Sequence, residues 1–263
     1  MPSTELKRDI EALFAGLRQR VAMENGEWTV KGFIDVYRRI YTISIDTKVV
    51  SKIIELMMFP ILEQFAAERG FEAELAAYQN HYPDFTLTAP DGMRFALDIK
   101  TTYRLPRGRV SGMTLGSFTG YFRDRRSTKN ITYPYESYAE HLALGVIYSR
   151  KGEIDERQTY TIEQLADIPS VAHDFEFFIQ EKYRIARDHP GSGNTKNIGS
   201  VTDQTVLING EGPFASLGRD VFDDYWMYYL TNDMARAAEL PRPPYRNLDE
   251  YLRYRGLMQN DPT

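Results

Sequence analysis

The sequence predicts an α/β fold of the α+β type. Three observations predict it: apolar residues at three- and four-residue steps near the N-terminus and again after Thr47, two alternating runs joined by a turn between Asp84 and Lys100, and a later mixture of both periodicities. Leu6, Ile10, Leu13, Phe14, Leu17 and Val21 share one helical face behind Ser3 and Thr4 as capping residues, so the first twenty residues read as one amphipathic helix. Across residues 27–43, Trp28, Val30, Phe33, Ile34, Val36, Tyr37, Ile40 and Tyr41 are β-branched or aromatic, the composition of short strands. Asp46 and Thr47 open a second helix whose apolar positions Val50, Ile53, Ile54, Met57, Ile61 and Phe65 lead to Gly70, with Pro60 expected to bend it. Residues 84–89 and 93–100 alternate about Pro90-Asp91-Gly92 and close a hairpin. Residues 142–149 read as a strand, 162–168 as a short helix, 176–186 as a strand or a helix, and 222–240 as an aromatic-rich helix. Within the last of these, Phe222, Tyr225, Trp226 and Tyr229 recur at helical spacing and are assigned to the core. Residues 189–200 form a loop, and residues 241–245 a linker before a short C-terminal helix.

Composition narrows the chemistry. The 263 residues carry 32 Lys and Arg against 37 Asp and Glu, a net charge of −5, with no cysteine, which excludes disulfides, thiolate metal sites and a cysteine nucleophile. The four histidines, His81, His141, His173 and His189, are too scattered for a local histidine metal box, so a metal site would be built from oxygen ligands and would favour Mg²⁺ or Ca²⁺ over zinc. The charged start lacks the apolar centre of a signal peptide, and no apolar run approaches the roughly 18 residues of a membrane span, so a cytoplasmic protein is expected. An acidic balance opposes wholesale binding to nucleic acid, but Arg104, Arg107, Arg109, Arg123, Arg125, Arg126 and Lys129 face only Asp124 in one stretch, a basic patch that can hold phosphates or be simply a solvated face.

A turn centred on Asp91 sets Asp84 opposite Asp98, Phe85 opposite Leu97 and Leu87 opposite Phe95. Lys100 then shares a face with Asp98, while Phe85, Leu87, Phe95, Leu97 and Ile99 cover the other, core-facing side. Opposed carboxylates cost a few tenths of a kcal/mol or more, about that scale, unless a cation lies between them. A divalent cation does this, and with a neighbouring lysine the set suits phosphodiester hydrolysis. The plainer alternative is a solvated sheet face on which Lys100 neutralises Asp98.

Pro83-Asp84 followed by Asp98-Ile99-Lys100 resembles the PD…(D/E)xK signature of metal-dependent nucleases. The surrounding words are more specific. Asp46-Thr47-Lys48-Val49, Gln79-Asn80-His81-Tyr82-Pro83-Asp84-Phe85-Thr86-Leu87, Asp98-Ile99-Lys100-Thr101-Thr102-Tyr103, Thr128-Lys129-Asn130-Ile131 and Gly191-Ser192-Gly193-Asn194-Thr195 resemble, in order, the EcoRV family of type II restriction endonucleases. With Tyr254-Arg255-Gly256 the resemblance spans most of the chain. It implies a mixed central sheet flanked by helices with a small dimerisation subdomain, and a homodimeric, Mg²⁺-dependent enzyme that cuts both strands of double-stranded DNA at a palindrome. GATATC or a close variant would be cut bluntly at its centre, leaving 5′-phosphates, and a cognate DNA methyltransferase would protect the bacterial host. By the same resemblance Asp84 and Asp98 are metal ligands, Lys100 is the catalytic lysine, and Glu55 matches an acidic residue associated with a second metal; read from its neighbours alone, Glu55 could equally be a helix-surface glutamate.

The resemblance also divides the chain into dimerisation strands over residues 27–45, a catalytic core over 46–150, a recognition loop over 186–200 and a C-terminal helical DNA-binding part over 220–256. Gly191, Ser192, Gly193, Asn194, Thr195 and Lys196 would enter the major groove, where Asn194 can pair with adenine and the Thr195 methyl can meet that of thymine. Lys196 stands where the family has a second threonine, a departure that bears on base preference. The loop lacks a glycine directly before its lysine, which excludes a Walker phosphate loop. Gln79 and Asn80 resemble a minor-groove loop, and Thr102, Tyr103 and Lys129 are further DNA-contact candidates. A structure-specific repair or junction nuclease, and a non-catalytic DNA-binding protein, are the alternatives.

Overall fold

Two helices, not one, carry the N-terminal apolar stripe. In the computed structural model, which describes residues 3–78, 80–152, 155–191 and 195–257, α1 (Ser3–Glu11) and α2 (Phe14–Val21) are separated at residues 12–13. Leu6, Ile10, Leu17 and Val21 from both are fully buried in one core, so the break leaves the periodicity intact. β1 (Gly32–Ile34) and β2 (Ile40–Thr42) pair antiparallel as the expected short strands. α3 (Thr47–Arg69) begins where the Asp46 side chain accepts a hydrogen bond from the Lys48 amide and ends at Gly70, whose φ of 72° closes the last turn. It continues through Pro60 as a single helix.

β3 (Glu72–Leu75), β4 (Phe85–Thr88) and β5 (Arg94–Leu105) follow, with β5 running five residues beyond the expected hairpin arm. After β6 (Arg109–Val110) and β7 (Thr114–Ser117) comes β8 (Tyr138–Arg150), then β9 (Thr159–Tyr160) and a 3₁₀ turn at Ile162–Asp167. The ambiguous segment 176–186 resolves into β10 (Ala172–Glu181) and a single turn, α4 (Lys182–Ile185). The loop expected at 189–200 is narrower, because β11 (Ala186–Pro190) and β12 (Asn197–Ser200) pair with one another and β12 pairs with β7. After α5 (Gln204–Asn209), the expected helix over 222–240 is broken. α6 (Arg219–Tyr228) ends where Tyr229 turns extended, and α7 (Asn232–Ala237) restarts with the Thr231 hydroxyl accepting from the Met234 amide. α8 (Leu248–Tyr254) closes the described chain.

The main sheet runs β10-β8-β5-β4-β3, with β6 on the far end of β5. β5 and β8 are parallel and the other neighbours antiparallel, so the sheet is mixed. The hairpin has the expected register, Phe85 opposite Leu97 and Leu87 opposite Phe95. Its apolar side, including Phe85, Leu87, Phe95, Leu97 and Ile99, packs against α1, α2 and α3. The opposite side is not solvated. Ala96, Ala143, Ile147 and Phe178 join a second core with Phe118, Phe122, Tyr135, Phe222, Tyr225 and Trp226, as the aromatic spacing predicted for the last three. Thr86 and Thr102 are buried there too. Gly145 is required at this interface, since a Cβ would lie 2.0 Å from the Phe178 ring. Among the described residues no helix is long and apolar enough to cross a membrane.

Candidate active site

The central strand and the chain entering β4 bring two acids and a lysine together. Asp84 precedes β4, and its Oδ2 accepts from the Ile99 amide at 2.8 Å, so a carboxylate replaces a main-chain carbonyl one step beyond the last paired residues. That bond aims Asp84 across at Asp98 and Lys100 on β5. Lys100 Nζ lies 2.7 Å from Asp98 Oδ2 and 3.9 Å from Asp84 Oδ2. Asp98 is 7% exposed, and the solvated-face alternative fails on that burial.

Electrostatics follow from the enclosure. Burial first, and the charge of Asp98 second, push the Asp84 pKa up to about 8, against the pull of Lys100. Burial opposes the charge on Lys100, but Asp98, Asp84 and Glu55 together hold its pKa above the ordinary lysine value. The pair is therefore short of positive charge. Two hard oxygen donors, one of them disfavoured as an anion, fit a divalent cation such as Mg²⁺, which commonly takes one or two carboxylates and fills its remaining positions with water and phosphate oxygens.

Glu55 does not join the pair. Its carboxylate accepts from Lys52 Nζ at 2.5 Å along α3, and among the described residues no three His, Cys, Asp or Glu side chains gather closely enough to hold a metal ion. It is nevertheless no plain surface glutamate. With Lys48, Ser51 and Asp84 it lines two adjoining clefts of about 630 and 500 Å³, and its charge is felt at both Asp84 and Lys100.

The second cleft extends along Lys100, Thr102 and Tyr103 to Gly112, Met113 and Thr114. Those last three also wall a cavity of about 200 Å³ lined by Arg187, Gly191, Thr195 and Asn197, so the described part of the candidate recognition loop abuts the candidate catalytic cleft. The loop's neck is tight, because a Cβ on Gly199 would sit 2.8 Å from Gly191 Cα. Lys196 is exposed, with its carbonyl accepting from the Phe118 amide. Gln79, Ser192, Gly193 and Asn194 lie outside the described residues. Asn80 and Lys129 are exposed. The Thr102 hydroxyl is used inside the fold, donating to the Ser111 carbonyl at 2.5 Å, and Tyr103 packs beside Tyr148 beneath the Arg150 guanidinium.

The basic stretch is partly consumed. Arg104 pairs with Glu176 and Arg125 with Asp223, and Arg123 donates to the Tyr229 carbonyl, which leaves Arg107, Arg109, Lys129 and Arg126, the last beside an exposed Glu136, as its exposed members. Sequence reasoning missed Lys48 and Ser51 in the clefts, although Lys48 lies in the block beginning at Asp46 and Ser51 just past its end. It also missed the hydroxyl contact from Ser51 to Thr101 that ties α3 to β5, and Arg187 at the loop cavity.

The family model for the EcoRV restriction endonuclease matches residues 24–256. The chain belongs to the EcoRV restriction endonuclease family. The type II restriction enzyme EcoRV of Escherichia coli is 39% identical over 239 residues, covering 89% of this chain and 94% of that protein. As an EcoRV-family member the chain is a type II restriction endonuclease, a site-specific deoxyribonuclease that binds DNA, and the family depends on divalent metal. The mixed sheet flanked by helices is the fold expected of it.

Proposed function

We propose that this endonuclease works as a homodimer on double-stranded DNA, cutting both strands at the centre of GATATC or a close variant and leaving blunt ends with 5′-phosphates. The observation that carries the reading is the convergence of Asp84, Asp98 and Lys100, with Asp84 and Lys100 lining a cleft that shares Gly112, Met113 and Thr114 with the cavity at the candidate recognition loop. Asp84 and Asp98 would hold Mg²⁺, which supplies Lewis-acid polarisation of the scissile phosphate and charge neutralisation. Lys100, whose pKa its carboxylate neighbours raise against the effect of burial, offers an ammonium to the charge that develops on the phosphate. Glu55, engaged by Lys52, contributes negative field from the cleft wall without direct contact with the pair.

Residues 27–45 would form the dimer contact. Phe33, Ile34, Val36 and Tyr37 are 50%, 59%, 90% and 76% exposed, a run of apolar surface on one small hairpin. A two-fold dimer matches a palindrome, since each half-site meets the same surface. Residues 46–150 are then the catalytic core, residues 186–200 read the major groove, and residues 220–256 support DNA. Gln79, Asn80, Thr102, Tyr103 and Lys129 flank the cleft, and Lys196 either adds a phosphate contact or alters base preference. A methyltransferase of the same specificity in the host cytoplasm completes the system.

The test is digestion of a long duplex of known sequence in Mg²⁺ and in EDTA, beside Asp98→Ala, with sequencing of the fragment ends. Discrete blunt ends at GATATC that need both the cation and Asp98 are expected. Staggered ends, or cutting without sequence preference, would overturn the reading.

A further inference from the structure

One buried charge has no part in the machinery described. Lys182, the first residue of α4, is 4% exposed. Its Nζ lies 5.0 Å from the Tyr82 ring centre, 5.6 Å from that of Tyr135 and 5.7 Å from that of Phe122, and has no hydrogen-bond partner among the described residues. Backbone closes another side: a Cβ on Gly116 would come within 3.2 Å of both Lys182 Nζ and Tyr121 Oη, and Gly116 holds a φ of 98°. Taking an ammonium out of water is costly, and aromatic faces return only part of that cost. Burial accordingly pulls the Lys182 pKa down to about 8, opposed first by the charge of Asp98 and then by that of Asp223. A methionine would fill the same space without that cost, so packing alone does not call for an amine.

What the amine faces gives it a use. Asp98 lies within its field, and Tyr82, the ring nearest to it, precedes Pro83-Asp84 in the chain. Tyr82 is held on its other edges by stacking on Tyr121 and by the hydrogen bond between Tyr82 Oη and His141 Nδ1 at 2.8 Å. We propose that Lys182 is a positioning residue of the active site, its caged ammonium serving as the clamp on the Tyr82 ring that leads into Asp84. The proposal rests on the DNA-cleaving reading above.

The test compares Lys182→Met with the wild-type dimer for kcat, KM, DNA affinity in EDTA and melting temperature. Positioning predicts a fall in kcat of about tenfold or more, with KM and DNA affinity nearly unchanged and melting unchanged or raised. A second variant separates charge from shape. Because the chain has no cysteine, Lys182→Cys alkylated with bromoethylamine in denaturant and refolded regains an ammonium at this position alone, whereas a neutral alkyl group regains only bulk. Recovery of kcat by the amine and not by the neutral group is expected. Wild-type kcat in Lys182→Met, loss of kcat in step with melting temperature and DNA affinity, or equal recovery by both reagents would overturn the proposal. Wild-type protein that cuts no DNA in Mg²⁺ would instead overturn the reading beneath it, and the proposal with it.

Discussion

Replacing Asp84 by asparagine removes one charge from the carboxylate pair at nearly constant shape, and the metal-free protein should become more stable for it, increasingly so as pH rises. The Asp84 pKa is lifted from 3.8 to about 8, by burial and then by Asp98. A raised folded-state value means that the native protein holds this proton more tightly than the unfolded chain does. Its stabilising contribution is therefore complete below 3.8 and is lost as pH climbs through about 8. At about 1.4 kcal/mol per pH unit the full interval has a ceiling of roughly 6 kcal/mol. The carboxylate keeps 23% of its surface, and Lys100 lies 3.9 Å away, both of which offset the penalty. We expect Asp84→Asn to gain about 2 kcal/mol on the wild type between weakly acidic and weakly alkaline pH, or about 4–8 °C in melting temperature for a chain of this size. Thermal melts of both proteins in EDTA across that range measure it, and added Mg²⁺ should then stabilise the wild type alone. A melting difference that stays flat with pH would refute the argument that the pair is short of positive charge.

On the proposed homodimer, Val36→Asp places a charge on the most exposed apolar residue of the β1–β2 hairpin and should yield a folded monomer by sedimentation from a wild type that sediments as a dimer, with double-strand cutting lost; a variant that still dimerises would remove this hairpin from the proposed interface. Burial above all keeps His141 neutral, well below its ordinary 6.5, so its contribution to stability is present above 6.5 and is lost as pH falls below it. Denaturation midpoints of the wild type should accordingly drop faster on the acid side than those of His141→Gln, and parallel curves would contradict this. Asp223→Ala strips the half-buried Arg125 of its 2.8 Å partner and should cost about 3 kcal/mol by urea titration. A cost within experimental scatter of zero would mean that water reaches the guanidinium.

Local signals were enough for the hairpin. Alternation on either side of Pro90-Asp91-Gly92 leaves one register that buries Phe85, Leu87, Phe95 and Leu97, and the two acids and the lysine follow from it. Asp46 and Gly70 likewise bound α3. Interactions over long separations were not legible. Residues 189–200 look like loop because glycine, serine and polar residues dominate them, yet residues 186–190 and 197–200 become strands through one another and β7. The arginines near residue 125 read as free charge, yet Asp223, which pairs with Arg125, lies 98 residues further along. The helix break at residues 229–231 is hidden because Tyr229 keeps its place in the aromatic core even as its backbone turns extended. The cage around Lys182 joins residues from four separate stretches, of which the sequence shows only a lysine at the end of an apolar run.

The two cores on either face of β5 have a consequence for retargeting. One face of that strand rests on helices from the first seventy residues, and the other on the aromatic cluster to which β11, β12 and α6 also contribute. Among the described residues, the strand bearing Asp98 shares this core directly with β11 and β12, which flank the proposed recognition loop. Grafting residues 186–256 from a relative with a different target would therefore recast the wall behind the catalytic strand, and altered specificity would arrive together with altered turnover. If the loop reads DNA as proposed, exchange of single residues within it, leaving Ile185, Ala186 and Ile198 in place, should change sequence preference while the cutting rate is preserved.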